Sequence, residues 1–116
     1  MSGFLTTHVL DTGQGKPAKG IKISLYRVSG NSHRKIAEAV TNDDGRTDAP
    51  ILPVEQFKTG QYELIFHTGD YLHAQGVQTD PLFLGDVPIR FGMAEVDHYH
   101  VPLLLSPFGY STYRGS

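Results

Sequence analysis

The sequence contains no cysteine. That excludes a disulfide framework, a thiolate nucleophile and a Cys-based zinc site. It also leans mildly towards a reducing compartment. An excess of either charge is missing as well: 10 Lys and Arg stand against 12 Asp and Glu, with the signs interspersed. No basic stripe offers itself to nucleic acid, and no acidic block reads as a disordered tail. Long apolar runs are absent too. The opening MSGFLTTHVLD has no positive segment followed by an apolar stretch, so neither a signal peptide nor a membrane span is expected. No internal repeat or low-complexity tract is visible. At 116 residues the chain reads as one domain, 1–116, able to form a single core without staples. The expected setting is the cytoplasm, with no nucleic-acid or membrane partner.

What is abundant is punctuation. Thirteen Gly and seven Pro cut the chain into short pieces rich in β-branched and aromatic residues. FLTTHVL (4–10) reads as a first strand, and DTGQGKPAKG (11–20) as a turn-rich connection. IKISLYRV (21–28) alternates with period two. SGNSHR turns the chain, and KIAEAVT (35–41) follows, with Ile36, Glu38 and Val40 on one face. NDDGR (42–46) carries Asp-Gly, a hairpin signal. A weak strand is expected near 51–54, a clear central one at 61–68, and a short helix at 69–76. VPIRFGM (87–93), HYHVPLLLS (98–106) and YSTYRGS (110–116) complete the set. Seven or eight short strands with almost no helix predict an all-β sandwich or barrel. Pro102 falls inside a strand, so its missing N–H must face away from a neighbour or mark a bulge.

Three of the six histidines stand out. On a strand, residues two apart share a face. His8 therefore lies with Thr6 and Leu10, and His98 and His100 lie with Pro102 and Leu104. Tyr99, Val101, Leu103 and Leu105 form the opposite, core-facing set. An outward face that mixes histidines with Leu10 and Leu104 suggests a groove or a partner surface. His98-x-His100 with His8 has a spacing that could hold a metal, although no carboxylate or Cys completes the set. A plain surface role, acid–base chemistry and ligand binding stand beside that reading. His33 reads as a solvated turn residue, and His67 and His73 as structural or surface groups. No Gly-x-Ser-x-Gly elbow, phosphate loop or calcium loop is present. A Ser-His-Asp set is allowed by composition, but nothing places one. The remaining chemistry is water activated by His, with an Arg to hold an oxygen-rich ligand. Arg46 follows the Asp-Gly turn and is the candidate, with Arg90 and Arg114 as competitors.

LTTHVLDTGQGKPAKGI, DDGR and HYHVPLLLSPFGYSTYRGS together resemble the transthyretin-related family, in its enzymatic branch, over essentially the whole chain and in order. The final YRGS is the most specific element. The resemblance implies a transthyretin-like β-sandwich of two four-stranded sheets with one short helix. It implies a homotetramer whose central channel is lined by the face carrying His8 and His100. It also implies hydrolytic ring opening of 5-hydroxyisourate to 2-oxo-4-hydroxy-4-carboxy-5-ureidoimidazoline in urate degradation, with no cofactor and no metal. By residue it implies His8, Arg46, His100 and Ser116 as catalytic. His8, Arg46, Tyr113, Arg114 and Gly115 would hold the substrate. The alternative is a carrier that binds a small aromatic ligand without turning it over. In the last strand, parity puts Ser111, Tyr113 and Gly115 on one face and Thr112, Arg114 and Ser116 on the other. Gly115 is expected to permit a turn that brings Ser116 inward.

Overall fold

A computed structural model describes residues 2–115. The strands are β1 (Phe4–Asp11), β2 (Lys16–Pro17), β3 (Lys22–Ser29), β4 (Ser32–Val40), β5 (Gly60–Phe66), β6 (Val87–Met93), β7 (His98–Ser106) and β8 (Gly109–Thr112). One helix, α1 (Thr68–Ala74), and one 3₁₀ turn (Val54–Gln56) interrupt them. The strands form two four-stranded sheets, ordered β2-β1-β7-β8 and β4-β3-β5-β6. All pairings are antiparallel except β1 with β7, which runs parallel. No helix among the described residues is long and apolar enough to cross a membrane.

Period-two alternation drives this arrangement. In β1 every second residue is buried. Leu5 and Val9 stand opposite Tyr99 and Leu103 of β7, and across the sandwich Ile23, Leu25, Leu64 and Phe66 close the core. Each such side chain contributes about 1.5–3 kcal/mol through its removal from water. Two polar groups on the inner face are satisfied rather than excluded. The Thr7 hydroxyl donates to Val101 O at 2.8 Å. The Asp11 carboxylate accepts from Tyr71 Oη at 2.7 Å and from Gln14 at 3.0 Å. That buried contact ties α1 to the end of β1.

Several boundaries differ from the sequence expectation. The 11–20 connection contains β2, whose two residues pair with Leu10 and Asp11. β4 starts at Ser32, so His33 is a strand residue. Its ring stacks on Tyr26 at 4.2 Å and bonds Glu63 at 2.6 Å. Ile36 does not share a face regularly with Glu38 and Val40, because a bulge opposite Leu25 and Tyr26 takes it out of register. NDDGR is a turn but not a hairpin: β4 ends before it, and Arg46 after it bridges to His8 in the other sheet. The weak strand at 51–54 reduces to one bridge, Leu52 to Leu5.

Pro102 has a physical account. Alternate residues of β7 turn their carbonyls to β8: His100 O accepts from Gly115 N at 2.7 Å, and Pro102 O accepts from the Thr112 hydroxyl at 2.8 Å. The N–H that proline lacks would have faced Tyr113. β8 ends at Thr112, and the ladder resumes in the same register at Gly115. The last strand is thus shorter than 110–116.

Candidate active site

The groove is built on the outer face of the sheet that contains β1 and β7. The parallel register sets Phe4 opposite His98, Thr6 opposite His100 and His8 opposite Pro102. Side chains of like parity then stand next to each other. The His98 ring stacks on Phe4, centroids 4.1 Å apart and 9° from parallel. The Thr6 hydroxyl lies 2.7 Å from His100 Nδ1 and 2.8 Å from His98 Nε2. The His8 and His100 rings are 6.4 Å apart.

Arg46 arrives from the far side through the turn 42–46. Asn42 organises that turn: its side-chain oxygen accepts from the backbone N–H of Asp44 and Arg46, at 2.9 and 3.2 Å. Gly45 has φ of +73°, and a Cβ there would stand 2.4 Å from Val9 O. The turn can approach β1 so closely because that Cβ is missing. Val9 N then donates to Gly45 O at 2.8 Å, which fixes Arg46 beside His8. Thr6, Arg46, Asp48, Pro50, His98 and His100 line a cavity of about 410 Å³.

Electrostatics favour the neutral form of His8 and His100. The pKa of His8 is lowered from the ordinary 6.5, first by burial and then by the Arg46 guanidinium, against a weaker opposite pull from Asp44. The pKa of His100 is lowered by burial, then by Arg46, His8 and His98. Neutral imidazoles beside a fixed cation can take a proton from water while the guanidinium holds an oxyanion. His98 Nε2 and His100 Nδ1 both turn to Thr6, and no group of three metal-ligating side chains is gathered among the described residues.

His8, Arg46, His100 and Gly115 are thus brought together. Gly115 has no left-handed φ; it lies in extended register, and its smallness matters because a Cβ would meet His100 Cδ2 at 2.8 Å. Tyr113 is exposed. The Arg114 guanidinium turns to the opposite side, 4.2 Å over the Tyr99 ring and 3.2 Å from Asp97 Oδ2, and does not reach the groove. Ser116 lies outside the described residues. Arg90 pairs with Glu63 on the other sheet. Thr6 and the loop 47–50 were not singled out from sequence. The Thr6-x-His8 spacing carried a signal for the first, and nothing local carried one for the second.

A Ser-His-Asp row does exist elsewhere. Ser24 Oγ is 3.0 Å from His67 Nε2, and His67 Nδ1 is 3.1 Å from Asp86 Oδ2. Ser24 is only 1 % exposed, so no substrate carbonyl can reach it. Asp86 also accepts from Gly69 N at 3.2 Å, so the row anchors the start of α1.

Comparison with known proteins adds relatives to this geometry. Residues 5–115 match the HIUase/Transthyretin family. The chain is 59% identical over 115 residues to the 5-hydroxyisourate hydrolase of Mesorhizobium japonicum, covering 98% of this chain and 93% of that protein. It is similar to the solved structure of Klebsiella pneumoniae 5-hydroxyisourate hydrolase, with a TM-score of 0.83, 36% identity, and 98% and 99% of the two chains covered. It is also similar to the crystal structure of (S)-allantoin synthase, with a TM-score of 0.92 and 48% identity. There the match covers 99% of this chain but spans 44% of the longer one.

Proposed function

The chain belongs to the HIUase/Transthyretin family, and from that premise we propose that it hydrolyses 5-hydroxyisourate to 2-oxo-4-hydroxy-4-carboxy-5-ureidoimidazoline. The observation that carries this reading is Arg46 held beside two neutral, half-buried histidines on one open face. A carrier of a small aromatic ligand calls for an apolar channel, and this groove presents a guanidinium, imidazoles and hydroxyls instead. The reaction belongs to urate degradation, in the cytoplasm.

The substrate is flat and rich in carbonyl oxygens, which suits the planar fork of a guanidinium. Water adds to a ring carbonyl carbon, the adjoining C–N bond breaks, the nitrogen takes one of the water's protons, and the carbonyl carbon becomes a carboxylic acid that releases the other proton as it ionises. His8 and His100 orient the water and remove its proton. Arg46 holds the substrate and stabilises the oxyanion, a role that favours the transition state over the ground state. Gly115 packs against His100 at one wall of the site, Tyr113 is assigned to substrate contact, and Ser116 is assigned to the proton path. Arg114 acts at one remove, by clasping Asp97 and Tyr99. Four chains assemble with these faces towards a common channel.

The test is the decay of freshly generated 5-hydroxyisourate followed by ultraviolet absorbance. Accelerated decay supports the hydrolase. Unchanged decay together with tight binding of a urate analogue would support the carrier.

A further inference from the structure

We propose that Thr6 and His98 form a proton relay behind His100, carrying the proton on its Nδ1 while Nε2 meets the water. The inference rests on the hydrolase reading and extends it to two side chains that act through another residue. Thr6 Oγ1 is within hydrogen-bond distance of His98 Nε2 on one side, 2.8 Å, and His100 Nδ1 on the other, 2.7 Å. A hydroxyl has one proton to give. With both rings neutral, two arrangements satisfy this row. In the first, His100 Nδ1–H donates to Thr6, Thr6 O–H donates to His98 Nε2, and His100 Nε2 is a bare base. In the second, His98 Nε2–H donates to Thr6, Thr6 O–H donates to His100 Nδ1, and His100 carries its proton on Nε2. The two tautomers are therefore locked to each other, and His100 is a base in one state and an acid in the other.

The reaction drives protons along the same row, and because the water adds one, the forward transfer ends with His98 protonated on both nitrogens, an imidazolium, rather than in the second neutral arrangement. One O–H bond of the attacking water breaks and its proton goes to His100 Nε2. The Nδ1 proton passes to Thr6 Oγ1, and the Thr6 proton passes to His98 Nε2. The hydroxide oxygen adds to the carbonyl carbon. When the C–N bond breaks, the Nε2 proton goes to the departing nitrogen, and the two relay protons return by the same path. The net transfer is one proton from water to the leaving nitrogen, and the three side chains end as they began.

The surroundings suit such a path. Arg46 from the 42–46 turn, His8 from β1 and His98 from β7 all face His100, so a lasting positive charge on that ring is opposed. The relay moves the charge one ring along the sheet. There the Asp97 carboxylate accepts the His98 backbone N–H at 2.8 Å, and Phe4 fixes the plane of the imidazole.

Three variants and one spectroscopic measurement test the relay. Thr6→Val keeps the β-branched shape without the hydroxyl, Thr6→Ser keeps the hydroxyl, and His98→Phe keeps the stack on Phe4 without ring nitrogens. Thr6→Val and His98→Phe are each expected to lower kcat by on the order of 10²-fold, at the low end for a positioned proton-transfer group, with KM little changed. Thr6→Ser restores most of the rate. The double variant is no slower than either single one, because both break one path. By ¹⁵N NMR without substrate, the ring tautomers of His98 and His100 are correlated in the wild type, and the correlation is lost in Thr6→Val. Full kcat in Thr6→Val, losses that multiply in the double variant, or uncorrelated tautomers in the wild type overturns the relay alone. A wild-type protein that leaves 5-hydroxyisourate at its spontaneous rate overturns the hydrolase reading and the relay's catalytic role. The NMR measurement of the tautomers decides independently whether the hydrogen-bonded row exists.

Discussion

An imidazole accepts a proton only while one nitrogen is bare, and burial followed by the charge of Arg46 secures that state here. The pKa of His8 and of His100 lies below 6.5. Activity, measured as kcat/KM against pH, is therefore expected to rise along a limb centred below 6.5 and to be level at neutrality. Arg46→Ala removes the second cause and moves that midpoint up. The same shift has a sign for stability. On acidification the unfolded chain binds protons first, so stability is intact above 6.5 and falls as pH drops through the folded values. Melting temperatures taken across that window check it. His100→Ala and Arg46→Ala are each expected to cost ~10²–10⁴-fold in rate while circular dichroism shows an unchanged fold. Gly115→Ala tests positioning: its methyl pushes the His100 ring off Thr6, so kcat falls although no catalytic atom is removed. Equal kcat in that variant would show that the ring has room to give.

At the scale of the element, the alternating strands were readable because one face of each sheet is buried, and burial imposes the period. The face carrying His8, His98 and His100 followed from that parity. Other features depend on partners far along the chain. β2 is two residues held only by pairing with β1, and its own sequence, Lys-Pro, carries no strand signal. Asp-Gly specified a turn, but whether the chain doubles back or crosses to the other sheet depends on where Val9 offers an N–H. Arg114 was assigned to the groove through its tetrapeptide, whereas the strand parity kept by the Gly115–His100 pairing puts it on the opposite face, against Tyr99 and Asp97. Thr6 was visible by spacing, yet its double hydrogen bond depends on the β1–β7 register, which no local pattern fixes. The crossing turn is itself testable. Gly45→Ala forces a left-handed residue, a cost of about 1–2 kcal/mol before any clash with Val9 O. Chemical denaturation should report at least that loss, and displacement of Arg46 should lower the rate as well.

At the scale of the whole molecule, the outer face of β1 and β7 leaves Leu10 and Leu104 only half-buried beside the groove. A second copy seated there would cover them and enclose the substrate. Light scattering is expected to give about four times the chain mass of 12.8 kDa. Leu104→Glu should reduce that mass and the rate together while the isolated chain stays folded. A full-rate monomer would show that one chain suffices.

The parallel pairing of β1 with β7 has a last consequence, for biosynthesis. Thr6 and His98 are 92 positions apart, so a chain still leaving the ribosome holds β1 with no neighbour on that side. Contacts of such long range form late. Until β7 emerges, the nascent protein exposes a sticky edge and has no assembled catalytic centre. Completion of the edge and the meeting of Thr6 with His98 and His100 are then a single event, and a prematurely released fragment would be both inactive and prone to aggregate.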